Sequence, residues 1–275
     1  MEGIVCVRAP NPGPFTLEGT NTWVVGTGPT LVIDPGPDDP GHIDAVGRAA
    51  SPIEAILLTH HHADHRAGAA LLAARAGAPV HAAAPRQGEN SLLPGHAFTA
   101  GGVRLEVVGA PGHSKDHVVF FDPASGSLFT GDAVLGRGTS VIDPPDGDLR
   151  DYLDSLDRMR ALGARTIFPG HGPVVPDADG KLREYIEHRR FRERQILAGL
   201  ERGPRTPDDL VPLIYGDYPG GLHQAAARSV LAHLIKLEAD GAVRRDGDRF
   251  RRDRSRHERG KASTQTSEDD PEART

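Results

Sequence analysis

Cysteine is almost absent: Cys6 stands alone among 275 residues. No internal disulfide can form, and a reducing compartment is the expected setting. In the first strand its expected role is that of a small buried hydrophobe. Long apolar runs are missing as well, since nothing approaches the ~20 consecutive apolar residues of a membrane-spanning helix. The start, Met-Glu-Gly-Ile-Val-Cys-Val-Arg, lacks both a basic segment leading into an apolar run and the Arg- and Ser-rich character of a transit peptide. The expected location is therefore the cytoplasm, with no membrane partner. Net positive charge is lacking too. At −6 the surface as a whole does not attract nucleic acid, so any contact with RNA or DNA requires a local basic patch. Lysine is scarce: of 32 basic residues only Lys115, Lys181, Lys236 and Lys261 are lysine.

What is present suits a globular protein. A hydrophobic content of 37% supports a proper core, and the length allows one large domain plus a small one. Short apolar runs at Thr22–Gly26, Thr30–Ile33 and Ala55–Leu58 read as strands, with Asp-Pro-Gly-Pro at 34–37 as a turn. His42–Ala50 and His65–Ala76 read as helices, the second stopped by Gly77. Strands resume near Val80 and at Val103–Val108, His117–Phe121 and Leu128–Thr130. Leu149–Leu162 has helical apolar spacing, and Arg165–Phe168 is another strand. This strand and helix order, run twice, predicts an α/β fold of αββα sandwich type over residues 1–180.

After His171 the character changes. A charged helix is expected over Lys181–Arg202. Thr-Pro-Asp-Asp at 206–209 caps the next helix, and Gly221–Asp240 carries an apolar face. Residues 242–250 read as a hairpin with Asp-Gly at its turn. Residues 181–252 are thus expected to form a small winged-helix-like domain, and the charged stretch 253–275 a disordered tail.

The chemistry concentrates in Thr59-His60-His61-His62-Ala63-Asp64-His65, between a strand and a helix. At a strand end, residues two apart point the same way, so His60 and His62 can converge on one ion while His61 faces away. Asp64 and His65, on the turn into the helix, can face a second ion. Imidazole and carboxylate suit zinc, but this segment alone cannot complete two sites. His113 in Ala-Pro-Gly-His-Ser, Asp132 in Phe-Thr-Gly-Asp-Ala and His171 in Phe-Pro-Gly-His-Gly-Pro each follow an apolar strand in a glycine-containing turn. Each is expected to emerge at a sheet edge.

Taken together these motifs resemble the metallo-β-lactamase superfamily over about residues 1–175. The resemblance implies the metallo-β-lactamase sandwich and two zinc ions per chain. His60, His62 and His113 would hold the first, Asp64, His65 and His171 the second, with Asp132 bridging. Two such ions, ~3.5–4 Å apart, polarise a substrate and activate water near neutral pH. Asp64 and His117 are the expected catalytic side chains, His117 either reaching substrate or supporting a ligand.

Subfamilies separate on residues. The B1 β-lactamases place a cysteine at the second zinc, which this chain lacks. The B3 class follows its motif with another histidine, where this chain has Arg66. Only 38 residues separate Asp132 from His171, too few for the inserted domain of the large RNA-processing nucleases. Asn11-Pro12-Gly13-Pro14-Phe15-Thr16-Leu17-Glu18-Gly19-Thr20-Asn21-Thr22 and Gly112-His113-Ser114-Lys115-Asp116-His117 resemble the β-lactamase-like protein 2 family, as do Leu135–Thr139, Asp151–Leu156 and the winged-helix-like tail. Lys115 departs from the acidic residue expected there. The animal member is a single-strand-selective endoribonuclease, so the resemblance implies phosphodiester hydrolysis. Bacterial and fungal relatives include thioesterases, so acyl-thioester hydrolysis stands as the alternative, and a non-enzymatic nucleic-acid-binding module as a third reading. Thr20 and Asn21 could contact substrate oxygens or simply stabilise a turn. Nine basic against four acidic residues over Arg244–Lys261 suggest that Arg244, Arg245 and Arg249 hold a polyanion.

Overall fold

Alternation along short strands builds the frame. The computed structural model describes residues 3–50, 52–217 and 220–253. The first sheet runs β1 (Ile4–Arg8), β2 (Asn21–Val25), β3 (Thr30–Ile33), β4 (Ile53–Leu57), β5 (Val80–Ala82) and β6 (Asn90–Ser91), side by side in that order. β1 to β3 are antiparallel and β3 to β6 parallel. Parallel neighbours need crossovers, supplied by α1 (Pro40–Ala49) and by the pair α2 (Ala63–Arg66) and α3 (Ala69–Ala76). Val24, Val32 and Ile56 face outward onto Ile43, Val46 and Leu72 of α1 and α3.

The alternate residues Trp23, Val25, Leu31, Ile33 and Leu57 face the second sheet. That sheet is ordered β11 (Thr166–Pro169), β10 (Ser127–Gly131), β9 (Val118–Asp122), β8 (Val103–Gly109) and β7 (Ala97–Ala100). Leu105, Val107, Phe120, Phe129 and Phe168 complete the layer between the sheets, with Trp23 edge-on to Phe168 at 5.1 Å. α4 (Leu149–Ala161) and α5 (Ala178–Gly199) brace the loops beyond β10. The Tyr152 hydroxyl donates to Ala133 O (2.7 Å), and the Tyr185 hydroxyl accepts from Leu135 N (2.9 Å). The αββα expectation holds.

In the sandwich two details differ from expectation. The helix foreseen over His65–Ala76 is two pieces, because Gly68 N donates out of the helix to Gly36 O (2.9 Å), an approach that leaves no room for a Cβ at Gly68. Cys6 is exposed rather than buried, because β1 is the edge strand of its sheet and no further strand covers it.

The chain divides into units Met1–Arg189 and Arg190–Thr275. The boundary falls inside α5, later than the expected 180/181, because Leu182, Tyr185, Ile186 and Arg189 of that helix are buried. In the second unit α6 (Pro207–Ile214) starts with the expected cap: Thr206 and Asp209 bond each other's backbone reciprocally. α7 (His223–Ala239) packs Val230, Leu234 and Leu237 with Val243 and Phe250 of the hairpin β12 (Val243–Asp246) and β13 (Arg249–Arg252). The hairpin turn is Gly247-Asp248, one residue later than expected. Of the expected tail, 253–275, all but Asp253 lies outside the described residues. Among the described residues no helix is long and apolar enough to cross a membrane.

Candidate active site

The ends of β3, β4, β10 and β11 and the turn before β9 meet at one rim of the sandwich. Backbone hydrogen bonds tie the sheets together there: Val118 N donates to Thr59 O (2.8 Å) and Asn21 N to Gly170 O (2.8 Å). Two glycines permit the close approach. Gly131 adopts φ +47° where a Cβ would lie 2.5 Å from Thr59 Oγ1. At Gly170 a Cβ would lie 2.7 Å from the His65 ring and 2.9 Å from Asp132 Oδ1.

Into this rim project seven imidazole and carboxylate side chains in two groups, His60–His62–His113 and Asp64–His65–Asp132–His171, each with its donor atoms within 4.8 Å of one another. In the first group His62 Nδ1 lies 3.0 Å from His60 Nε2 and 3.1 Å from His113 Nε2. In the second, the Nε2 atoms of His65 and His171 are 3.2 Å apart, and Asp64 Oδ2 lies 3.2 Å from His171 Nε2. Asp132 joins the groups. Its Oδ1 lies 3.4 and 3.3 Å from His65 and His171, and its Oδ2 lies 3.7 Å from His113.

These residues fit two cations. Tetrahedral bonds of ~2.0–2.1 Å place ligand atoms roughly 3.3–3.4 Å apart, close to the observed separations. Asp132 Oδ1 is buried with no hydrogen-bond partner, an orphan anion that a cation would satisfy.

The far nitrogen of most rings is already committed. His65 Nδ1 donates to Asp34 Oδ2 (2.8 Å), His113 Nδ1 to Val141 O (2.8 Å) and His171 Nδ1 to Gly19 O (3.3 Å). His60 Nδ1 donates to Thr59 Oγ1 (2.9 Å), which passes its own proton to Asp34 Oδ2 (2.7 Å). Each Nε2 is thereby aimed into the site and presents a lone pair once its ring is neutral. Asp34 is a functional residue that sequence reasoning passed over as part of a turn. It sits at φ +52°, an uncommon conformation for a non-glycine residue, at the end of buried β3. An acidic residue directly after the apolar run Leu31-Val32-Ile33 was the available signal.

Electrostatics divides the groups. Burial disfavours charge on His171, but Asp132 and Asp64 outweigh it and push its pKa from 6.5 to about 9. Burial also opposes charge on His65, yet Asp132 and Asp34 hold it well above the usual histidine range. Burial would raise the Asp132 carboxyl as well, but His65 and His171 hold it well below the carboxylate range. His60 and His62 are shifted down, first by burial and then by neighbouring histidines. A cation entering the Asp132 group must therefore displace protons, while His60 and His62 offer free lone pairs.

A pH prediction follows from the signs. In metal-free protein the His171 contribution to stability is full below 6.5 and lost as pH rises through about 9. The Asp132 contribution is present above 3.8 and lost as pH falls. Metal-free melting temperature should therefore be highest between those two limits, and zinc uptake at pH 7.5 should release protons. Calorimetry in two buffers of different ionisation enthalpy counts those protons; a count of zero would refute the charged pairing.

Other expected residues occupy supporting places. His117 is 1% exposed and lies beneath the site, stacked on His60 at 4.8 Å, its Nε2 accepting the Asp132 backbone N–H at 3.2 Å. That placement supports the metal-side residues rather than reaching substrate. Thr20 and Asn21 are also buried and correct the substrate-contact expectation. Thr20 Oγ1 accepts from Asn11 Nδ2 (3.0 Å), and Asn21 Nδ2 donates to Pro169 O (3.1 Å) and Gly172 O (2.8 Å), so both brace the His171 loop. His61 turns away to Asp116 (2.8 Å) and Asp146 (3.5 Å). Arg66, where the B3 class has histidine, is buried against Glu89 at 2.6 Å. In the second unit Arg244 pairs with Asp253 (2.6 Å) and Arg249 with Asp209 (3.6 Å), while Arg245 lies over the Phe250 ring at 5.4 Å. Acidic partners therefore offset much of the hairpin charge expected to hold a polyanion.

The chain matches the metallo-beta-lactamase superfamily over residues 15–171 and the beta-lactamase associated winged helix domain over 206–253. It is 36% identical over 265 residues to Lactamase-like protein nscB of Trichophyton rubrum, covering 88% of this chain and 81% of that protein. It is 35% identical over 258 residues to Beta-lactamase-like protein 2 homolog of Caenorhabditis elegans, covering 88% and 86%. A solved metallo-beta-lactamase family protein from Thermus thermophilus superposes with a TM-score of 0.78 at 25% identity, covering 92% of this chain and 99% of that one. With its seven-residue rim and these likenesses spanning both units, the chain belongs to the metallo-beta-lactamase superfamily and carries that superfamily's associated winged helix domain.

Proposed function

We propose that this chain is a binuclear zinc hydrolase of the cytoplasm that cleaves phosphodiester bonds in single-stranded RNA. The observation that carries the hydrolase reading is Asp132, one carboxylate whose two oxygens face two separate donor groups. His60, His62 and His113 would hold one zinc, Asp64, His65 and His171 the other. When bound, the pair supplies an activated water near neutral pH and offsets charge on a phosphate oxygen. His62 and Asp64, with side chains 36% and 31% exposed, form the open edge across which substrate approaches. Asp64 is kept ionised: burial opposes this, but His171 beside it lowers its pKa, so it stands as a carboxylate able to ligate a cation and to accept a hydrogen bond from water.

RNA is supported by the resemblance to the β-lactamase-like protein 2 family across both units. The acyl-thioester reading keeps one observation in its favour: much of the hairpin charge is offset by acids while the whole chain stands at −6. Parallel assays with labelled single-stranded RNA, the same strand in duplex and an acyl-coenzyme A panel decide between them. Slow, metal-dependent cleavage of the single strand is expected, with duplex resistant because its phosphates cannot enter the rim without unwinding. His62→Ala prepared identically is the control for contaminating ribonuclease. Equal cleavage by wild type and His62→Ala refutes the RNA activity, and metal-dependent thioester hydrolysis in its place establishes the alternative.

A further inference from the structure

We infer that the exposed face of α5 formed by Arg190, Phe191 and Arg194 is a platform on which a base of single-stranded RNA stacks while its phosphates pair with the arginines; this rests on the ribonuclease reading above. Phe191 is 47% exposed on a helix whose inward residues Ile196 and, just beyond its end, Leu200 already serve the core of the second unit. It is held in a ladder of aromatic and guanidinium groups. Arg192 lies 4.3 Å from the buried Tyr215 ring and 5.9 Å from Phe191, and Arg194 lies 5.7 Å from Phe191. Arg192 is itself fixed, donating to Ile214 O (3.0 Å) and Gln195 Oε1 (2.8 Å). The ladder therefore has an anchored base and an open outer end.

Charge separates this face from the hairpin. Arg190 and Arg194 have no carboxylate partner among the described residues, whereas Arg244, Arg249 and Arg252 are paired with Asp253, Asp209 and Glu201. Glu193 cannot neutralise the face because it is paired with Lys236 (2.7 Å). Glu187, one turn earlier, subtracts one charge. An exposed aromatic beside the available Arg194 guanidinium, with Arg190 one turn before Arg194, matches a nucleotide, which presents a flat π face beside an anion. A second copy of the chain would bring the same cations against these, and a single aromatic is too little apolar surface for a lipid bilayer.

The test is fluorescence anisotropy of the full, metal-loaded chain with a short, unstructured, fluorescein-labelled phosphorothioate RNA that resists cleavage. Phe191→Ala and Phe191→Leu should weaken binding by roughly 5- to 150-fold, the equivalent of the ~1–3 kcal/mol of one base–aromatic stack. Phe191→Trp should restore it, since a larger ring stacks at least as well. Replacing Arg190 and Arg194 together by Gln should flatten the log–log salt dependence by about 1.4, two charges at ~0.7 each on a single strand. Wild-type affinity in Phe191→Leu overturns the platform and leaves the ribonuclease reading standing. Equal loss in Phe191→Trp and Phe191→Ala overturns it as well, because the ring would then be structural. No binding by wild type, with metal-dependent thioester hydrolysis instead, overturns both.

Discussion

Asp132→Ala is expected to empty both halves of the site at once. Wild-type protein should carry about two zinc ions per chain, and the variant one or fewer. Turnover should fall by more than about 100-fold, beyond what loss of an outer-shell partner costs. Each oxygen of Asp132 faces a different histidine group, so truncation removes one ligand atom from each. It also removes the anion that keeps His65 and His171 shifted upward, so the pKa of His171 in metal-free variant should drop from about 9. Plasma-emission analysis measures the stoichiometry, and an NMR titration of the imidazole carbons reads the second effect. One metal or fewer in fully active wild-type protein sinks the two-cation reading. Two metals in Asp132→Ala would show that Asp132 is no bridge.

All seven donors were legible because each belongs to a local signal: His60, His62, Asp64 and His65 to one histidine-rich segment between a strand and a helix, and His113, Asp132 and His171 to glycine-containing turns after apolar strands. The winged-helix cap was legible because Thr-Pro-Asp-Asp acts within a few residues, and the hairpin was legible to within one residue, its turn falling at Gly247-Asp248 rather than Asp246-Gly247. What stayed hidden depends on partners distant in sequence. Asp34 reads as a turn until His65, 31 residues on, closes on it. Thr20 and Asn21 read as a binding loop until Pro169 and Gly172 claim the Asn21 amide. The hairpin arginines form a positive run in sequence, but folding sets acids from α6 and the turn before it beside them. Clustered charge in one dimension is not a charged surface in three. The exposure of Cys6 was hidden because alternation fixes which residues share a face, not whether another strand will cover it.

Replacing Asp34 should disturb both metal groups although Asp34 faces neither ion. Its carboxylate accepts from Thr59 N (2.8 Å), Thr59 Oγ1 (2.7 Å) and His65 Nδ1 (2.8 Å). Through Thr59 it fixes the Nδ1–H tautomer of His60, and directly it fixes that of His65. Three donors converge on two oxygens, and an amide cannot serve them: in Asp34→Asn one oxygen is replaced by an NH2 that faces a donor. The backbone at φ +52° tolerates asparagine well, so this variant isolates the side-chain effect from conformational strain. Loss of such an outer-shell partner costs ~10–100-fold in metal affinity, and that range is expected here for both ions. Asp34→Gly relaxes the backbone but leaves the buried His65 N–H unpaired, a cost of ~1–3 kcal/mol. It should therefore bind metal no better than Asp34→Asn. Competition against a chromophoric chelator resolves the two affinities. If only one falls, the Thr59 relay to His60 is broken and Asp34 serves His65 alone; if Asp34→Asn binds both ions with wild-type affinity, the carboxylate has no part in holding the site.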